Sequence, residues 1–300
     1  MSIVIAVPVD ENLASFIGKK GSSESITFYN RKAGDETIVA LFPGQEEEKV
    51  YALAETLLLA SQIVISTSLV DKKFGEALVA ASLLNRRLLL TADNDVKGIL
   101  GGAGITNFKV VQREDLLNDI IANRQGAAGA AQVRVEIDKA FPVKGVGTIA
   151  LGIVTRGTVK QHDKLYHTSG KQVVIRSIQS QDEDVLSAGT GTRVGLSLKD
   201  MSHDEIEKGD LLTSTPVKRC GKVRIECKGC KVAPEAIQTG AHYRLVLGFS
   251  VSDCAVLGVD GAMVELELKA PMPAEVGDEA LLIRNIMPRI FASGTVKEAK

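Results

Sequence analysis

Three groups of residues have types and spacings that could do chemistry. The first is a run of cations, Lys218-Arg219, Lys222, Arg224, Lys228 and Lys231, around a lone Glu226. Side chains alternate faces along a strand, so residues 222, 224 and 228 would share one face. Such a stripe, with Arg219, can hold nucleic-acid phosphates, or it can simply keep a charged strand edge from pairing. The second is Cys227-Lys-Gly-Cys230, with Cys220 and Cys254 nearby in sequence. A zinc knuckle needs a second pair of that spacing, so no metal site is expected, and the other thiols read as small buried side chains. The third is the set of Gly-Lys pairs, the core of a phosphate-binding loop. Such a loop needs glycines whose N–H groups wrap the phosphates, a lysine for the β/γ oxygens and a Ser or Thr for Mg²⁺. Gly18-Lys19, Gly170-Lys171 and Gly221-Lys222 all lack the following hydroxyl. Gly18 to Ser25 therefore reads as a polar loop, and Asp93-Asn-Asp95 as the cap of a following helix.

The whole chain limits the class of protein. Its 300 residues suggest two or three domains, and 45% hydrophobic content is ample for their cores. A formal net charge of -1 excludes a polycation that binds nucleic acid by bulk charge. Four cysteines are too few for a disulfide scaffold. No apolar run is long enough for a membrane span, and no basic segment precedes the first apolar residues. A monomer in a reducing cytoplasm, with no membrane association, is the expectation.

The elements that would position these residues fall into three blocks. Residues 1–127 alternate short apolar strands (3–7, 25–30, 37–42, 63–66, 88–91 and 108–111) with amphipathic helices (45–61, 74–84, from 94, and 115–123). That order implies a mostly parallel sheet covered on both faces. Gln125 to Ala131 is built of small residues without periodicity and reads as a linker. Residues 131–217 then carry short β-rich runs with Gly, Asp and Ser turns every eight to twelve residues, the pattern of a small antiparallel barrel. Residues 218–300 show six more such runs and no helical period, which implies a second barrel.

The wording of the first barrel is specific. Phe141-Pro-Val-Lys-Gly-Val-Gly-Thr-Ile149, Gly152-Ile-Val-Thr-Arg-Gly157, Gly191-Thr-Arg-Val-Gly195 and Glu205-Ile-Glu-Lys-Gly-Asp-Leu-Leu212 fall in order at barrel spacing. Together they resemble the second domain of the translational GTPases, elongation factor Tu and its relatives. Arg289-Ile-Phe-Ala-Ser-Gly-Thr-Val296 resembles, more loosely, the closing strand of their third domain. The resemblance implies a GTPase-like α/β domain followed by two antiparallel barrels, and tRNA or ribosomal RNA as partner. In that family the second domain holds the aminoacyl end of tRNA beside the hairpin. Carried over, the contact residues are Asp138, Phe141, Val143, Gly145, Gly147, Ile149, Thr192, Arg193 and Val194. The sequence departs from the family at Val146, where relatives often have Arg, and at Pro142.

The nucleotide motifs that the resemblance leads one to expect are incomplete. Where the phosphate loop belongs stands Val7-Pro-Val-Asp10-Glu-Asn12-Leu13-Ala14, without its glycines, lysine or threonine. The "D-x-x-G" element reads Leu41-Phe-Pro43-Gly44, with Gln45 in place of the family's catalytic His, and the guanine-reading element keeps only Asp93. The missing phosphate loop, the "G-K-K-G" segment and a short first domain resemble an archaeal SelB-like branch, relatives of the selenocysteine-specific elongation factor. The expectation is an RNA-binding factor without GTPase chemistry or a cofactor, its three domains lacking an additional RNA-binding domain and held in a fixed arrangement. The alternative is a GTPase with diverged motifs.

Overall fold

The computed structural model describes residues 2–34, 36–44, 50–84, 86–123, 132–233 and 235–300. The linker segment 125–131 and Gln45 lie outside them. The first domain runs β1 (Ser2–Ala6), α1 (Glu11–Ile17), β2 (Lys19–Ser23), β3 (Ile26–Ala33), β4 (Glu36–Pro43), α2 (Val50–Leu59), β5 (Gln62–Ile65), α3 (Lys72–Leu83), β6 (Arg87–Thr91), α4 (Lys97–Gly102), β7 (Phe108–Val111) and α5 (Leu116–Ala122). These strands form one sheet in the order β2-β3-β4-β1-β5-β6-β7. The β1, β4, β5, β6 and β7 pairings are parallel, while β2, β3 and β4 meander antiparallel. Apolar residues on both faces of β1 and β4 are buried, as helices on two sides require.

Two sequence expectations need correction here. Gly18 to Ser25 is not a loop, because Lys19–Ser23 pairs antiparallel with β3 at the sheet edge. All five of its residues are exposed, so no apolar alternation betrayed it. The cap of α4 is Val96, and the carboxylate contribution comes from Asp95, whose Oδ1 accepts from Lys97 N–H at 3.1 Å.

The middle domain runs β8 (Arg134–Val143), β9 (Gly147–Arg156), β10 (Thr158–Lys160), β11 (Lys164–His167), β12 (Gln172–Ser180), β13 (Glu183–Val185), β14 (Ser187–Gly189), β15 (Arg193–Lys199) and β16 (Leu211–Thr213). The order β11-β16-β8-β9-β15-β12 closes on itself through the β11–β12 pairing, leaving no free edge in the ring. The third domain is a closed barrel, β17 (Arg219–Gly229), β20 (Met263–Pro273), β19 (Ser250–Asp260), β18 (His242–Leu247), β21 (Glu279–Ile283) and β22 (Ile290–Ala299) in spatial order. The chain is thus an α/β domain followed by two antiparallel barrels.

The three domains share their packing. Phe28 and Leu41 of the sheet, Ala52 of α2, Ile153 of the middle barrel and Phe249 of the third form one buried cluster. Helices α2 and α3 contribute to the core that extends into the third barrel. Buried ions bridge the same seams. Arg289 binds Glu76 of α3 at 2.6 Å, and Arg134 reaches Asp278 at 3.0 Å and Glu275 at 2.7 Å. Glu136 accepts from Phe249 N–H at 3.1 Å, and a Cβ on Gly248 would collide with its carboxylate. Separating the domains would leave these charges and apolar faces unpartnered, so the junctions are built as cores and not as loose interfaces.

Candidate nucleic-acid interface

The hairpin and strand residues taken from the family motif divide into two groups. Antiparallel register places Phe141 opposite Ile149 and Val143 opposite Gly147, at the turn end of the β8–β9 hairpin. Phe141, Val143 and Ile149 are half-buried and Gly145 and Gly147 exposed, so this group faces outward. Gly145 and Gly147 have φ of +82° and +106°, which the tight hairpin turn requires.

Asp138, Thr192, Arg193 and Val194 sit elsewhere, at the seam with the first domain. Arg193 Nη2 donates to Asp138 Oδ2 at 2.7 Å, and its guanidinium carbon lies 3.9 Å from the Phe28 ring centroid. Side-chain exposure is 11% for Arg193 and 3% for Asp138. Burial lowers the Arg193 pKa, with Asp138 opposing that shift. Arg193 Nη1 finds no acceptor among the described residues, so the carboxylate and the ring face carry the compensation for burying the charge. Thr192 Oγ1 is 3.0 Å from Ser2 Oγ, and Val194 is inside the barrel core. The first-domain sheet therefore covers this half of the predicted pocket. Sequence could not reveal that, since Phe28 and Arg193 are far apart along the chain.

The cationic stripe on β17 is present, with two of its three outward cations beside carboxylates. Lys222 and Arg224 face outward with Lys228, yet Lys222 lies 3.7 Å from Glu267, and Arg224 lies 3.4 Å from Glu298 and 4.0 Å from Asp260. Glu226 between them pairs with Lys297 at 2.8 Å. Arg219, exposed at the junction of the two barrels, is bonded to Asp210 at 2.6 Å and to Glu207 at 3.2 Å. Burial alone would raise the Asp210 pKa, but hydrogen bonds from His167, Thr168 and Glu207 N–H outweigh it and hold the group ionised well below the usual range. The carboxylate partners come from neighbouring strands, which only the register reveals. Cys220 and Cys254 donate weakly to backbone carbonyls, and no group of three His, Cys, Asp or Glu comes together among the described residues.

At the phosphate position, the turn after β1 is filled by its own acid. Asp10 caps α1, its Oδ1 accepting from Asn12 N–H at 2.9 Å and Leu13 N–H at 3.3 Å. Leu13 and Ala14 are buried in the first-domain core. Leu41 is fully buried, and Gly44 N–H is bonded to Ser25 O at 2.8 Å, just past Pro43 at the end of β4. Asp93 accepts from Thr91 Oγ1, and its N–H donates to Thr67 Oγ1 at 3.1 Å. A further feature had no sequence signal. A cavity of about 360 Å³ opens where the three domains meet, lined by Arg86, Arg134, Arg156, Glu136, Asp278 and Glu279 among others.

An α/β domain locked to two barrels, with a glycine hairpin at the outer end of the first, defines an elongation-factor architecture. Residues 147–213 match the family model for elongation factor Tu domain 2. The chain is 27% identical over 286 residues to an uncharacterized protein of Methanocaldococcus jannaschii, covering 91% of this chain and 92% of that one. It is 26% identical over 206 residues to the selenocysteine-specific elongation factor of Haemophilus influenzae, which covers 65% of this chain but only 32% of that factor. Among solved structures, apo translation elongation factor SelB from Methanococcus maripaludis superposes with a TM-score of 0.82 at 19% identity, over 100% of this chain and 80% of SelB. The family match and the similarity to the selenocysteine-specific factors support a place in the translational GTPase superfamily, on its SelB-like side. Among the described residues no helix is long and apolar enough to cross a membrane.

Proposed function

We propose that this elongation-factor-like protein binds tRNA or ribosomal RNA through its barrels and works without a GTP cycle. The observation that carries the reading is the Asp10 cap. The N–H groups that would cradle a phosphate are already bonded to a carboxylate, which would also repel one. The side chains after it, Leu13 and Ala14, offer neither an ammonium nor a hydroxyl. The interdomain cores support the second half of the reading, because a γ-phosphate switch would have to break them.

The test is calorimetric titration with GTP and GDP at millimolar magnesium, together with filter binding of tRNA. No saturable nucleotide heat and salt-dependent tRNA retention are expected. Nucleotide binding with a Kd below about 10 μM would instead support a diverged GTPase.

A further inference from the structure

We infer that the outer end of the middle barrel carries an RNA-phosphate surface made by Lys144, Lys164, Arg176 and Lys199, distinct from the β17 stripe and from the covered Arg193 seam. The inference rests on the RNA-binding reading above and names the residues that would serve it. Strand register aligns Lys164 with Val174 and Val174 with Lys199, so one row crosses β11, β12 and β15. Two ladder spacings set the backbones of Lys164 and Lys199 about 10 Å apart. Both lysines are exposed on the outer face.

Arg176 is the extra residue of a bulge on β12, between the Ile175–Leu198 and Ser177–Ser197 pairs. A bulge re-aims its side chain. Here the guanidinium extends toward the hairpin, where Nη1 meets Val146 O at 3.4 Å beside Gly147. Gln161 Nε2 braces the bulge by donating to Arg176 O at 2.8 Å. Lys144 stands in the hairpin turn itself, exposed. Four cations thus gather around the outward hairpin group that includes Phe141 and Ile149.

None of the four has a carboxylate partner among the described residues, in contrast to Lys222, Arg224 and Arg219. The acids nearest in sequence do not cancel them. Asp163 is half-buried and accepts from Lys160 N–H at 2.7 Å, leaving Asp200 as the exposed acid next to Lys199. A bulge-aimed arginine, three unpaired lysines and half-exposed apolar side chains fit a phosphodiester backbone with bases resting on the apolar patch. An acidic polypeptide would meet the same cations but carries no bases to rest on that patch.

The experiment compares the full chain with K164Q/R176Q/K199Q and with K222Q/R224Q, by filter binding of unfractionated tRNA and of a short RNA duplex across a salt series. The triple variant should lose at least tenfold in affinity, and its log–log salt slope should flatten by about two to three. The K222Q/R224Q variant should bind like the parent. Far-ultraviolet circular dichroism and the unfolding midpoint check that the triple variant is folded, and K164R/K199R should retain binding. RNA binding by the parent with no loss in the triple variant overturns this surface while leaving the functional reading intact. No RNA binding by the parent overturns both. Polyglutamate competing as well as RNA overturns the assignment to phosphate.

Discussion

The guanidinium of Arg193, on the middle barrel, lies 3.9 Å from the centre of the Phe28 ring on the first-domain sheet. The same group is bonded to Asp138, so a cation, its counter-ion and an aromatic face are buried together at a domain seam. Removing the arginine would leave the Asp138 charge buried and alone. Arg193→Ala should therefore cost about 3 to 5 kcal/mol of stability. Arg193→Met with Asp138→Leu should recover most of that loss, because the apolar pair removes both charges and keeps the volume. Urea unfolding midpoints check this, and a double variant no better than the single would show that the pair is not the source of the cost.

Much of this architecture was legible in the sequence because it rests on local periods. The strand–helix alternation, the glycine-punctuated barrel and the six β-rich runs after it each leave a pattern within a dozen residues. What was not legible depends on register or on distant contacts. The β17 stripe looked cationic because Glu267 and Glu298 arrive from β20 and β22. Arg176 looked ordinary because a bulge is invisible until strands are paired. The Arg193 group was found as a motif, but its cover, Phe28, belongs to another domain. β2 was missed because an exposed edge strand with polar residues on both faces has no period to read.

Glu55 gives the three-domain junction a pH dependence. Its carboxylate is buried on α2 and bonded to Lys208 of the middle barrel at 2.7 Å, with the ammonium 5.6 Å from the Phe249 ring of the third domain. Burial pushes the carboxyl up to about 7 from 4.5, outweighing the attraction of Lys208. The folded protein then holds this proton more tightly than the unfolded chain does. The stability contributed is fully present below pH 4.5 and is lost as pH rises through about 7. The shift corresponds to about 3 kcal/mol. Glu55→Gln should remove that slope, so the difference between variant and parent should move in the variant's favour from pH 4.5 to above 7. Parallel unfolding curves for the two proteins across that window would contradict the assignment.

Two glycines fix how closely the domains approach. Gly191 has φ +84°, and an added Cβ would lie 2.5 Å from Ser2 O of the first domain. Gly209 has φ +90°, and its Cβ would lie 2.9 Å from Ser250 Cα of the third. Gly170, at φ +87°, has nothing within 4 Å and serves as the control. Gly170→Ala should cost only the left-handed penalty of about 1 to 2 kcal/mol. Gly191→Ala and Gly209→Ala should each cost more and should speed limited proteolysis near residues 214–218, since backbone has to move. Equal costs at all three positions would mean that the seams tolerate separation.

Asp10 separates a structural cap from a ligand-binding acid. As a cap it satisfies the Asn12 and Leu13 N–H groups, which α1 otherwise leaves unpaired at its first turn. Asp10→Ala should then lower stability by about 1 kcal/mol, and Asp10→Asn or Asp10→Ser should cost less, because each keeps a side-chain oxygen for those donors. Nucleotide affinity should not respond in either direction. Freed N–H groups would still lack a lysine and a metal-binding hydroxyl, because Leu13 and Ala14 point into the core. Charge-assisted contacts of that kind are each worth about 1.5 to 3 kcal/mol, so their joint absence keeps GTP weak even with the repelling carboxylate gone. Were Asp10 instead a magnesium ligand in a diverged GTPase, the parent would bind GTP and both Asp10→Ala and Asp10→Ser would abolish that binding with little change in stability. Calorimetry with GTP and magnesium, set beside the urea midpoints of the same four proteins, tells the two roles apart.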